Sequence, residues 1–117
     1  MDIEIIRDYC LKKKGVTEGF PFGEGTLVFK VMNKLFCLSN LEPPISINLK
    51  CKPERVLELR EKYEGVIPGY HMNKKHWNTI EINSGIPEKE ILSWIDDSYN
   101  LVVDKLTQKD KKELDSL

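Results

Sequence analysis

TLVFKVMNKLFCLSNLEPPISINLK, residues 26–50, limits this chain more than any other stretch, because apolar side chains recur there at every second position. Leu27, Phe29 and Val31 share one side while Val28, Lys30 and Met32 share the other. Ile45, Ile47 and Leu49 likewise oppose Ser46, Asn48 and Lys50. A period of two belongs to extended strands, whose successive side chains point to opposite faces. Asn33-Lys34 reads as a hairpin turn and Pro43-Pro44 as a break. The segment therefore predicts a three-stranded antiparallel meander with one wetted face.

Helical patterns surround it. In IEIIRDYCLKKK, Ile3, Ile6 and Cys10 form one stripe, with Lys12, Lys13 and Lys14 in a solvated last turn and Gly15 as the stop. GVTEGFPFGEG reads as a loop that Phe20 and Phe22 pin to the core. Pro53 opens a second helix with Val56, Leu59 and Tyr63 inward. VIPGY, whose Pro68 lacks a donor, belongs at a sheet edge or bulge. From Trp77 a further strand puts Asn78, Ile80 and Ile82 on one side and Trp77, Thr79 and Glu81 on the other. Pro87 opens the longest helix, and residues 109–117 form a charged tail with helical character. The expected order is helix, three strands, helix, two strands, helix. That is one α+β domain over residues 1–117, with helices on one face of an antiparallel sheet.

Composition narrows the class. A chain of 117 residues, 40% hydrophobic and 32% charged, suits a single soluble core. No apolar run approaches the roughly 20 residues of a membrane span. The charged start, MDIEIIRDYCLKKKG, lacks a secretory centre. A cytoplasmic monomer is expected. Cys10, Cys37 and Cys51 are widely spaced with no C-x-x-C pair, which argues for reduced thiols rather than disulfides or zinc. Residues 26–76 carry nine Lys/Arg against five Asp/Glu, a mildly basic middle in a chain of net charge −1.

The densest functional candidate is GVIPGYHMNKKHWNTI, residues 65–80, which holds both histidines. His71 and His76 are two ligands where a metal needs three or four, and Lys74 and Lys75 repel a cation. No phosphate loop, nucleophile elbow or carboxylate pair accompanies them. No enzyme activity, metal or cofactor is expected. Nucleic acid fits better: Lys30, Lys34, Lys50, Lys74, Lys75, His71, His76 and Asn73 offer a polar, basic surface, with Trp77 or Tyr70 available for stacking. The sequence pI near 6.1 opposes it. Two alternatives stand beside duplex DNA. One is a protein or peptide partner on a groove with Phe20, Phe22 and Trp94; the other is a small-molecule pocket around His71 and His76. The plainest account is structural, with an Asn73-Lys74 turn, Trp77 covering the sheet and a histidine satisfying backbone carbonyls.

TLVFKVMNKLFCL, ISINLKCKPE, LREKYEGVIPGYHMNKKHWNTI and ILSWIDDSYNLVV together resemble the MmcQ/YjbR-like proteins, a family of small bacterial proteins. The resemblance runs from the first helix almost to the end. It implies an α+β fold of the secretion-chaperone type and a DNA-binding label founded on paired, wing-like hairpins. It implies no catalytic residues. The positions answering the family signature are Pro68, Gly69, Tyr70, His71, Asn73, Lys74, Lys75, His76, Trp77 and Asn78.

Overall fold

A computed structural model describes all 117 residues. Its elements are α1 (Ile3–Leu11), β1 (Val16–Gly19), β2 (Thr26–Val31), β3 (Lys34–Asn40), β4 (Ser46–Lys50), α2 (Pro53–Lys62), β5 (Val66–Pro68), β6 (Trp77–Glu81), α3 (Glu88–Asp104) and α4 (Gln108–Asp115). The six strands make one antiparallel sheet in the order β1-β2-β3-β4-β6-β5. The α+β class holds, with a larger sheet than the alternation alone suggests.

One face of the sheet carries the main core. Leu27, Phe29, Val31, Ile47, Leu49 and Ile80 meet Ile6 and Cys10 of α1, Leu59 of α2, and Ile91, Trp94, Ile95 and Val102 of α3. Each such burial contributes about 1.5–3 kcal/mol, which holds the helices to the strands. Cys10 and Cys37 lie in this core, and the neighbouring Cys10 thiol together with burial raises the Cys37 thiol well above its usual range. Ser98 of α3 tightens the same layer, accepting from Lys50 N at 2.9 Å and donating to Phe36 O at 2.6 Å.

Several expectations change. Val16–Gly19 is an edge strand on β2 rather than loop, and Arg7 of α1 clamps it through Nε and Nη2 bonds of 2.8 and 2.7 Å to Glu18. Phe20 and Phe22 are exposed and pin nothing. Helix α1 ends at Leu11, ahead of the three lysines; Lys13 then pairs with Asp96 and lies over the Tyr9 and Tyr99 rings. The β2–β3 turn is Met32-Asn33, both at positive φ, and Lys34 already belongs to β3. The ladder shifts register beyond Phe29, opposite Phe36 and Cys37. Such a bulge turns two successive side chains to one face, and both sit in the main core. Trp94 is buried against Tyr63 on the helix side, so it shares no groove with Phe20 and Phe22.

The helix-free face is the most informative departure. It is only partly wetted: Ser46 and Asn48 are buried, and Val28, Leu38 and Trp77 form a second small cluster with Leu35 and Met72 packed against it.

Candidate functional site: a cleft on the helix-free face

Strand register arranges that face in rows. The central row runs Val28, Leu38, Asn48, Thr79, Ile67, each paired with the next across β2, β3, β4, β6 and β5. One flank reads Thr26, Asn40, Ser46, Glu81. On the other flank Lys30 pairs with Leu35, and Lys50 with Trp77. Over the central row and its Glu81 flank lies a cleft of about 790 Å³. Leu35, Leu38, Ile67 and Met72 supply apolar lining, and Asn48, Ser46 and Thr79 give it a polar floor. Glu42 and Glu81 are its acidic groups, and no Lys or Arg lines it. A volume of this size suits a small ligand or a short peptide.

The β5–β6 loop, residues 69–76, supplies Tyr70, His71 and Met72 to the cleft, and its own bonds explain much of the quoted signature. Gly69 is buried with its N–H on Trp77 O at 3.1 Å, and an added Cβ would lie 2.9 Å from Trp77 Cβ and 3.0 Å from Trp77 O. Only glycine fits so close an approach. Tyr70 N–H then donates to Thr79 Oγ1 at 2.9 Å, and Thr79 in turn bonds Asn48 Oδ1. This ties the loop to the cleft floor. Asn73 turns the chain: its Oδ1 accepts from Lys75 N at 2.9 Å, and its carbonyl from His76 N and Trp77 N.

Two residues of the loop remain uncommitted. Tyr70 is 68% exposed, and its ring meets the His71 imidazole at 4.0 Å between centroids. His71 has φ +58°, a left-handed conformation that costs a residue with a Cβ about 1 kcal/mol. Sparsely populated backbone of this kind gathers at working sites.

The basic residues divide. Lys30 and Lys50 share the helix-free face with Trp77, as the alternation requires. Lys34 pairs with Val31, a helix-side residue, so it leaves the sheet on the opposite face. Lys74 Nζ donates to Gly69 O at 3.1 Å and is thus occupied by its own loop, whereas Lys75 is exposed. The histidines also separate: His71 lines the cleft, while His76 joins the packing through its carbonyl, which accepts from Cys51 N at 2.8 Å. Trp77 is 9% exposed within the small apolar cluster, so its ring serves chiefly as packing. Leu38, Glu42, Thr79 and Glu81 were absent from the candidate functional residues offered by sequence, whereas Phe22 was offered in a different groove, with Phe20 and Trp94. The one available signal was alternation, which places Thr79 and Glu81 on the same side as Trp77.

Known proteins resemble this chain in fold and in sequence. A Deinococcus radiodurans crystal structure, DR2400, described as a DUF419 domain, superposes with a TM-score of 0.90 at 35% identity, covering 96% of this chain and 86% of that one. The chain is 43% identical over 96 residues to YbdF of Escherichia coli O157:H7, covering 81% of this chain and 79% of YbdF. It is 30% identical over 115 residues to YjbR of Escherichia coli K12, covering 97% and 98% of the two chains. Both relatives bear the name uncharacterized protein. The YjbR family profile matches residues 11–101, most of the length, and the chain belongs to the YjbR family.

Proposed function

We propose that the protein is a non-enzymatic binding module that holds its ligand in the cleft on the helix-free sheet face. The observation that carries this reading is the strained, exposed His71 beside Tyr70 at the margin of a cleft of about 790 Å³. The polar floor favours binding over catalysis, because the Thr79 hydroxyl is already engaged by Asn48 and the Tyr70 N–H. The test is amide shift mapping with a mixture of small soluble fragments. Shifts should concentrate at Leu38, Asn48, Thr79, Tyr70 and His71. Fragments that perturb only other surfaces, or none, overturn the reading.

Duplex DNA is the second reading, favoured by Lys30 and Lys50 lying on one face with the exposed Lys75 on the adjoining loop. Glu42 and Glu81 oppose phosphate at the other flank of that face. Fluorescence anisotropy with a labelled duplex separates the two. DNA binding through these residues falls steeply with salt, and Lys50→Ala with Lys75→Ala flattens the slope by about two. No binding at low salt removes it.

A further inference from the structure

We infer that the cleft's ligand is an extended peptide segment of alternating apolar and basic residues, resting on the cleft reading above. Three features converge. The first is length. From Thr26 on β2 to Ile67 on β5 the lining crosses four strand-to-strand steps. At about 4.8 Å per step that is about 19 Å, the span of about six extended residues. A compact ligand fills only part of such a trough.

The second feature is the lateral asymmetry of its walls. Along one edge lie Asn40, Ser46, Glu81 and Glu42; along the other lie Leu35 and Met72. An extended chain laid along the central row sends successive side chains to opposite edges. A period-two pattern of apolar and polar residues therefore matches both walls at once.

The third is charge. Glu42 and Glu81 are the charged residues of the lining besides the titratable His71, so the polar edge selects cations and rejects carboxylates or phosphates. Leu38 and Ile67 beneath the chain contact its backbone stem and apolar side chains. Asn48, already bonded to Thr79, keeps the floor rigid.

The experiment uses three fluorescein-labelled hexapeptides with the full chain: alternating leucine and lysine, alternating leucine and glutamate, and alternating serine and lysine. The leucine–lysine peptide should bind at least about tenfold tighter than either of the others, the sum of two rim charge pairs and an apolar edge. Glu42→Gln with Glu81→Gln should reduce the preference for lysine over glutamate to below about threefold. The exposed pair Glu24→Gln with Glu64→Gln, outside the cleft, should leave it unchanged. Equal binding of the three peptides, no binding, or a preference that survives the Glu42/Glu81 change overturns the inference. If fragments still map to the cleft in that event, the peptide assignment alone falls and the binding-module reading stands.

Discussion

Arg60 Nε donates to Asn78 Oδ1 at 2.7 Å, and the same guanidinium reaches the carbonyls of Trp77, at 3.2 Å, and Lys74. One side chain of α2 thereby fixes both the start of β6 and the loop that borders the cleft. Asn78 is 1% exposed, and its Nδ2 bonds Val56 O at 3.3 Å, so it has no water to turn to if Arg60 is lost. A buried acceptor deprived of a charged donor costs roughly 2–3 kcal/mol. Arg60→Met should lower the unfolding free energy in urea by about 2 kcal/mol. Amide exchange should rise first across residues 69–77. A stability loss with unchanged loop exchange would contradict the anchoring role.

Gly69→Ala tests the close approach of the loop to β6. The new methyl would meet Trp77 Cβ, Trp77 O and Met72 Cβ at 2.9, 3.0 and 3.2 Å, two of them on a residue fixed in the sheet. The backbone must yield, at a cost of about 1–3 kcal/mol. The expected result is a lower thermal midpoint together with weaker fragment binding in the cleft. An unchanged midpoint would mean that the loop has room to shift.

How much of this was legible beforehand depends on the range of the interaction. Ile47 and Asn48 announce β4 because alternation is local. Phe36 and Cys37 break the alternation of β3, since a bulge is set by the partner strand. VTEG has weak strand character and becomes β1 only by pairing with β2 and meeting Arg7. The cleft was the least accessible feature. Leu38, Asn48, Thr79 and Ile67 become neighbours through register across four strands, and no spacing in the chain encodes that register. Composition was similarly blind to the acidic lining, because the middle of the chain is net basic while Glu42, in the β3–β4 loop, and Glu81, at the end of β6, converge from distant positions.

Alkaline titration should expose the α1–α3 contact. The Tyr9 hydroxyl donates to both carboxylate oxygens of Asp96, at 2.9 and 2.8 Å. Burial, followed by that bond and the Asp96 charge, raises the Tyr9 phenol above its ordinary 10.0; burial also raises Tyr99. A group with a raised folded pKa stabilises fully below its unfolded pKa and loses that contribution as pH rises through the folded value. Stability should therefore begin to fall above about pH 10. Tyr9→Phe should be about 1 kcal/mol less stable at neutral pH yet decline more shallowly in alkali. Urea midpoints between pH 8 and 11 provide the measurement, and an equally steep decline in the variant would count against Tyr9.

Thiol labelling should resolve the cysteines by depth. Cys10 and Cys37 are fully buried, whereas Cys51 is half-buried with its pKa raised chiefly by burial. A raised pKa leaves less thiolate, so even Cys51 should react more slowly than a free thiol. One equivalent of Ellman's reagent should be consumed by the native protein and three after unfolding in urea. Rapid loss of a second thiol in the native state would show that the α1–β3 contact opens.

His71 distinguishes function from scaffolding most directly. Its φ of +58° costs about 1 kcal/mol with any Cβ present, and glycine removes that cost while adding about 0.5–1 kcal/mol of unfolded-chain entropy. The two effects nearly cancel, so His71→Gly should match the parent in stability to within about 0.5 kcal/mol. His71→Ala keeps both the strain and the stiffer unfolded chain, so by the same cancellation it should match the glycine variant to within about 0.5 kcal/mol. Both lose the imidazole that meets the tilted Tyr70 ring at 4.0 Å between centroids, and both should bind cleft fragments severalfold more weakly. Undiminished binding in His71→Gly would make the strained conformation a by-product of the turn between Gly69 and Asn73, and would remove His71 from the site.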